Sequence, residues 1–159
     1  MPELIRSSRS PSSRSALAAA ARRSRYPRRN EAILLFLLDT GARASEFCDP
    51  RMRDVNPPER HCTVTGKRNK RRTLFSNSPT VRSVSAYLPD TPRSEDAPLF
   101  MSASKGPGVK PLTRSGPLQL TGRLGDAAGT EAVRCSPHTF RHTFGVSFIR
   151  NGGNTFSLM

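Results

Sequence analysis

"NEAILLFLLDTGARASEF", residues 30–47, sets the reading of the whole chain. An Asn that can cap a helix, an acid one residue later, a nearly continuous apolar body and a Gly terminator together predict a buried helix ending near Thr40. "ARASEF" resumes helical character, and Pro50 restricts Asp49 and stops it. Arg43 therefore falls at a helix–turn–helix corner.

The surrounding sequence follows the same logic. "HCTVTG" (61–66) alternates like a strand, "KRNK" (67–70) is turn-like and "RRTLFS" (71–76) alternates again, so a β-hairpin is predicted with Lys67 where the first strand enters the turn. Ser78 and Pro79 read as a cap and first-turn pair, followed by Val81, Val84, Tyr87 and Leu88 at helical spacing, with Tyr87 in the core. Residues 89–112 are rich in Pro, Ser and Gly and read as a long loop with a short extended piece at "APLFMS" (97–102). A helix over about 115–124 precedes a last one with Ser136 as cap, Pro137 in its first turn and "NGG" as its stop. On that helix Phe140, Phe144 and Phe148 form an apolar stripe, while His138 and Arg141 are neighbours on another face near its positive end.

The chain of 159 residues carries 26 Lys plus Arg against 12 Asp plus Glu, a net charge of +14. Of the cations, 22 are Arg, the side chain suited to bidentate phosphate contacts, so a polyanion is the expected partner. Nucleic acid is favoured over an acidic membrane surface because no basic amphipathic helix and no long apolar run occurs. RNA is disfavoured by an aromatic share of only 6%, which leaves no evident stacking surface. Residues 1–29 hold eight Arg and one Glu. With "ALAAAA" as their only apolar island they read as a disordered basic arm, or an organelle transit peptide, ahead of one domain over 30–159. Cys48, Cys62 and Cys135 are too few and too widely spaced for a disulfide framework or a zinc site, and read as thiols in a reducing, cytoplasmic setting. His61 reads as a surface strand residue.

"DTGARASEF" (39–47), "VTGKRNKRR" (64–72) and "SPHTFRHTFGVSFIRNGG" (136–153), in that order, resemble the catalytic domain of the tyrosine recombinases, or phage integrase family. The resemblance implies a mainly α fold with a small antiparallel β-sheet and a reaction of site-specific DNA cleavage and rejoining through a 3′-phosphotyrosine, with no metal or cofactor. It assigns Arg43 and Arg141 to a clamp on the scissile phosphate, where fixed guanidinium forks favour the charge-spread transition state. Lys67, with Lys70 as its competitor, becomes the acid for the leaving 5′-oxygen, and His138 the proton-transfer or phosphate-bonding group. Glu46 matches the acid that buttresses the first Arg. Arg68, Lys70, Arg71, Arg72 and His142 are candidate DNA contacts, His142 having a structural alternative.

The same resemblance marks departures. Arg68 stands where the family usually has Gly, Pro50 where it has an apolar helical residue, and Arg71 where it often has an acid. The family's nucleophilic Tyr lies beyond the His-x-x-Arg helix and its separate core-binding domain lies before the catalytic one. The expectation is a truncated or decaying recombinase, inactive because loss of a nucleophile commonly costs ~10⁶ in rate, an incomplete gene model, or a non-catalytic DNA-binding remnant. The family assembles as a tetramer on DNA through C-terminal segments, so a monomer or aggregate is expected here, with the apolar faces of 32–38 and of the Phe140 stripe short of cover.

Overall fold

A computed structural model describes residues 11–88, 93–103, 110–130 and 135–154, with side chains from Arg14 onward. The elements are α1 (Pro11–Arg22), α2 (Pro27–Thr40), α3 (Ala44–Cys48), β1 (Val55–Asn56), β2 (His61–Thr65), β3 (Arg71–Phe75), α4 (Ser78–Tyr87), α5 (Ser115–Ala127) and α6 (Pro137–Arg150), with single 3₁₀ turns at Met52–Asp54 and Lys67–Asn69. This is the mainly helical fold with a small antiparallel sheet that the resemblance implies. The sheet order is β1-β2-β3.

Residues 11–29 correct the reading of a disordered arm. They form α1 and the first turn of α2, and Leu17, Ala18, Ala20 and Ala21 are buried. The physical reason lies in the Ala island: short side chains have high helix propensity and let α1 lie close against α2 and α5. That contact also gives α2 the cover that was expected to be missing, for Ala32, Ile33, Leu34, Phe36 and Leu37 are all buried. The expectation for residues 1–10 lies outside the described residues.

Helix α2 begins earlier than the Asn30 cap suggests. Tyr26 is the cap and Pro27 opens the helix, using the fixed φ of proline where an N–H has no partner to lose. Asn30 is instead buried and donates from Nδ2 to Ser24 Oγ at 2.8 Å, pinning the α1–α2 turn. The other end is as read. Thr40 Oγ1 donates to Phe36 O, and Gly41 turns out of the helix at φ +61°. A Cβ on Gly41 would also stand 2.4 Å from Phe144 Cδ1, so this glycine is required both by conformation and by the approach of α6.

The aromatic core joins distant segments. Phe47 stacks on Phe100 at 4.5 Å, with Phe36 edge-on to both at 5.6 and 5.5 Å and Tyr87 stacked on Phe100 at 5.9 Å. Phe100 and Leu99 come from the long loop, whose extended piece is tied by Leu99 N–H to Pro50 O and by isolated bridges Arg51↔Pro98 and Met101↔Pro111. The Tyr87 hydroxyl accepts the Met101 N–H at 3.1 Å. On the hairpin, Val64 pairs with Arg72 and Cys62 with Leu74, so these four residues share the inner face. Helix α4 is capped one residue earlier than read: Asn77, not Ser78, accepts the Thr80 N–H. Asp39, in the last turn of α2, takes both the Asn77 N–H and its Nδ2. The Phe stripe of α6 is covered in part, Phe140 being buried and Phe144 and Phe148 half-buried.

The tip of the hairpin is strained. Arg68 and Asn69 both have positive φ, +62° and +59°, a conformation that Asn tolerates and a long side chain resists. Arg68→Gly is expected to raise stability by about 1 kcal/mol, read as a higher urea midpoint with unchanged slope. Gly41→Ala is expected to cost about 2–4 kcal/mol, combining left-handed strain with the Phe144 clash; a loss under 1 kcal/mol would show that α6 can shift away from that corner.

Candidate phosphate-binding site

The site begins with a carboxylate that has no access to water. Glu46 lies in the first turn of α3, and its side chain is 0% exposed. A buried carboxylate must be paired and hydrogen-bonded or it protonates. Here the Arg43 N–H donates to Oε2 at 3.0 Å and Arg43 Nη1 to Oε1 at 3.2 Å. Arg72, reaching across from β3, grips the same group with both prongs: Nε to Oε1 at 3.1 Å and Nη2 to Oε2 at 2.6 Å. Burial pulls the Glu46 pKa up, but these hydrogen bonds and charges outweigh it and hold the carboxyl below its ordinary value of 4.5.

Gly66 completes the enclosure. A Cβ there would come within 2.9 Å of Glu46 Oε1, so only glycine lets the end of β2 lie against the carboxylate. Gly66 N–H closes the hairpin on Lys70 O at 2.8 Å. The exposed Lys67 follows immediately, at the start of the 3₁₀ turn.

Arg141 arrives from α6 and donates from Nη1 to Gly41 O at 2.6 Å. Its pKa is lowered, first by burial and then by the charges of Arg43 and Arg72, with Glu46 opposing. Arg43, Arg72, Arg141 and Glu46 thus form one electrostatic neighbourhood assembled from the α2–α3 corner, the hairpin and the last helix. Ser136 caps that helix by accepting the Thr139 N–H at 3.1 Å, and His138 stands exposed in its first turn. His138, Arg141 and His142 line an open cleft of about 320 Å³ that continues over Phe144 and Ile149.

Of the sequence-predicted site residues, Arg43, Glu46 and Arg141 meet as a cluster, Lys67 borders it through Gly66, and His138 borders it along α6. Arg68, Lys70 and Arg71 lie on the exposed hairpin end, Arg71 Nη2 standing 3.7 Å from Asp54 Oδ1. Arg72 departs from the expectation of a DNA contact. Strand alternation turns it inward beside Leu74, and its guanidinium is committed to Glu46. That alternation in "RRTLF" was the available signal. His61 is likewise less exposed than read, pairing through Nε2 with Glu59 at 2.9 Å. The three cysteines are free, and burial pushes Cys48 up to about 11 and Cys62 up to about 12, which keeps both as neutral thiols.

Because the Glu46 pKa is lower folded than unfolded, its contribution to stability is present above about pH 4.5 and disappears as pH falls through the depressed value. Glu46→Gln is therefore expected to cost about 3 kcal/mol near neutrality and progressively less at lower pH. Urea unfolding of both proteins along a pH series measures this. A difference that widens on acidification would contradict the ionised, arginine-held carboxylate.

Comparison with known proteins gives the family and the fold. The sequence profile of the phage integrase family matches residues 11–159. The chain is 29% identical over 125 residues to tyrosine recombinase XerA of Pyrococcus furiosus, covering 78% of this chain and 42% of that protein. It is 32% identical over 132 residues to tyrosine recombinase XerD of Mycobacterium tuberculosis, covering 79% and 41%. The crystal structure of XerA recombinase superposes with a TM-score of 0.77 at 28% identity, over 94% of this chain and 53% of that one. The Tn1549 transposon integrase in complex with transposon right end DNA shares the fold with a TM-score of 0.72 at 18% identity, over 94% and 55%. The chain spans about two fifths of the length of these curated relatives. With the family profile matching residues 11–159, the chain belongs to the phage integrase family of tyrosine recombinases.

Proposed function

We propose that this chain grips a DNA phosphodiester in the manner of a site-specific recombinase, with Arg43 and Arg141 clamping its non-bridging oxygens. The observation that carries the reading is the charge balance of the cluster. Three guanidiniums face one buried carboxylate, leaving two positive charges unneutralised. A phosphodiester carries one negative charge, and attack by an alkoxide gives a phosphorane carrying two. The cluster therefore complements the transition state better than the ground state.

The remaining groups take roles at its rim. Lys67, on the turn beside Gly66, supplies a proton to the leaving 5′-oxygen, and His138 bonds the phosphate or relays a proton. Arg68, Lys70, Arg71 and His142 contact the DNA backbone on either side. Glu46 holds Arg43 in place. The clamp uses fixed arginine charge where other phosphoryl-transfer enzymes use metal ions. Among solved structures of similar fold, the Tn1549 transposon integrase is in complex with transposon right end DNA and XerH site-specific recombinase is bound to difH substrate, and duplex DNA is the partner we propose here. No helix among the described residues is long and apolar enough to cross a membrane, and a chain acting on DNA in this lineage belongs in the cytoplasm.

The full reaction, cleavage and rejoining through a 3′-phosphotyrosine, also needs a nucleophile. Tyr26 caps α2 at the end opposite Gly41, and 14 residues at about 1.5 Å each put it roughly 20 Å away. Its ring lies under the Arg25 and Arg29 guanidiniums. The Tyr87 hydroxyl is engaged by Met101 and its ring by Phe100 and Arg93. Neither belongs to the cluster, so both tyrosines have non-covalent roles.

Fluorescence anisotropy on a labelled duplex tests the clamp. Arg43→Ala and Arg141→Ala are each expected to weaken binding about 10- to 100-fold, the value of a charge-assisted contact. Affinity should fall with salt with a log–log slope of about −0.9 per phosphate neutralised. On a denaturing gel, a nicked duplex should leave no protein adduct. Unchanged affinity in both variants would remove the clamp, and an adduct mapped to Tyr26 or Tyr87 would overturn the assignment of a non-covalent role.

A further inference from the structure

We infer that Arg72 is a positioning residue that keeps Arg43 available to phosphate by occupying the Glu46 carboxylate itself. The inference rests on the clamp reading above and adds a residue to it.

The geometry at Glu46 is a competition between two arginines for one buried anion. Arg72 holds both oxygens side-on, at 3.1 and 2.6 Å, the two-pronged arrangement in which guanidinium and carboxylate match best. Arg43 has only its Nη1 on the carboxylate, at a longer 3.2 Å, and its remaining contact with Glu46 comes from its main-chain N–H. Arg43 keeps 41% of its side chain exposed, against 27% for Arg72. Most of the donors of Arg43 therefore stay outside the ion pair on a part-exposed side chain, while Arg72 is spent on the interior.

Without Arg72, the carboxylate would remain buried with Arg43 as the one cation hydrogen-bonded to it. The lowest-energy response is for Arg43 to rotate and take both oxygens, since an under-satisfied buried carboxylate costs more than a surface contact returns. That rotation withdraws Arg43 from the phosphate. Arg72 also fixes the hairpin: it lies on β3 opposite Val64, and Gly66 seats the end of β2 against Glu46 Oε1. The same carboxylate thus sets the distance between the Lys67 turn and the Arg43 corner. Arg72 acts through Glu46 and Arg43 and has no role at the reacting atoms.

The test uses the whole chain, labelled with ¹⁵N, and inorganic phosphate as probe at constant ionic strength. The Nε–Hε resonances of Arg43 and Arg141 report binding residue by residue, and urea unfolding of each variant reports stability separately. Arg72→Gln is expected to weaken phosphate binding at Arg43 by about tenfold, and Arg72→Lys by less, because an ammonium can satisfy one oxygen but not both. In a Glu46→Gln background the further change Arg72→Gln should have little effect, since the carboxylate that captures Arg43 is gone. A purely structural Arg72 predicts a lower urea midpoint with unchanged phosphate affinity of the folded chain, or effects that multiply in the double variant; either outcome overturns the inference. Should Arg72→Gln not fold, Arg72→Lys decides, and wild-type phosphate affinity at Arg43 in that variant sinks the proposal. An Arg43→Gln protein that binds phosphate as well as wild type removes the clamp and this inference together. Loss of binding in Arg43→Gln with none in Arg72→Gln removes the inference alone.

Discussion

Everything at this site depends on keeping one negative charge ionised inside the protein. Glu46 has no water to solvate it, so four donors from two arginines take the place of hydration. Satisfying that carboxylate forces three pieces of chain together: the corner after α2, the inner face of β3 and the glycine that ends β2. A hydrophobic core could bring the same elements into contact, but apolar packing is non-directional and would leave their relative rotation loose. Hydrogen bonds to fixed lone pairs specify angle as well as distance. The phosphate clamp proposed above would need that specification, because misplacing a donor by about 1 Å can forfeit most of its effect.

Two glycines transmit the constraint. At Gly66 the missing side chain lets the backbone lie on the carboxylate. At Gly41 the left-handed turn ends α2, clears the ring of Phe144 and presents the carbonyl that holds Arg141. Helix α6 is thus docked by an apolar contact and an adjoining charged hydrogen bond at one residue, so the position of Arg141 is tied to the same corner that bears Arg43. The aromatic cluster of Phe36, Phe47 and Phe100 supports that corner from below, and Phe47 is the residue after Glu46. Core packing and site geometry are therefore consecutive in the chain.

The helices from α2 onward, the hairpin, the α6 cap and the corner position of Arg43 were all legible in the sequence because each has a local signal: a cap, a terminator or an alternation. What escaped was decided by tertiary contact. The Ala-rich stretch of α1 looks like disorder in isolation, since small side chains bury little area each; its stability comes from the close approach to α2 and α5 that those small side chains permit. Asn30 has the chemistry of a cap, but Pro27 opens the helix sooner and leaves the amide to bind Ser24. The two-residue β1 has no periodicity to read. Arg72 shows the limit most clearly: charge alone suggests a DNA contact, whereas strand alternation, taken together with a buried acid 26 positions earlier, turns it to the interior.

The arrangement is also unfinished in an electrostatic sense. Arg141 is partly desolvated and lies in the field of Arg43 and Arg72, both of which disfavour its charge, while Glu46 only partly offsets them. Like charges held in a half-buried setting raise the free energy of the unliganded fold, and the packing of α6 on Gly41 and the Glu46 bonds offset that cost. An anion entering the proposed clamp would relieve that repulsion, and by linkage a ligand that binds the folded chain also stabilises it. In the clamp proposed above, the same repulsion would make a doubly charged phosphorane a better fit than the singly charged diester from which it forms.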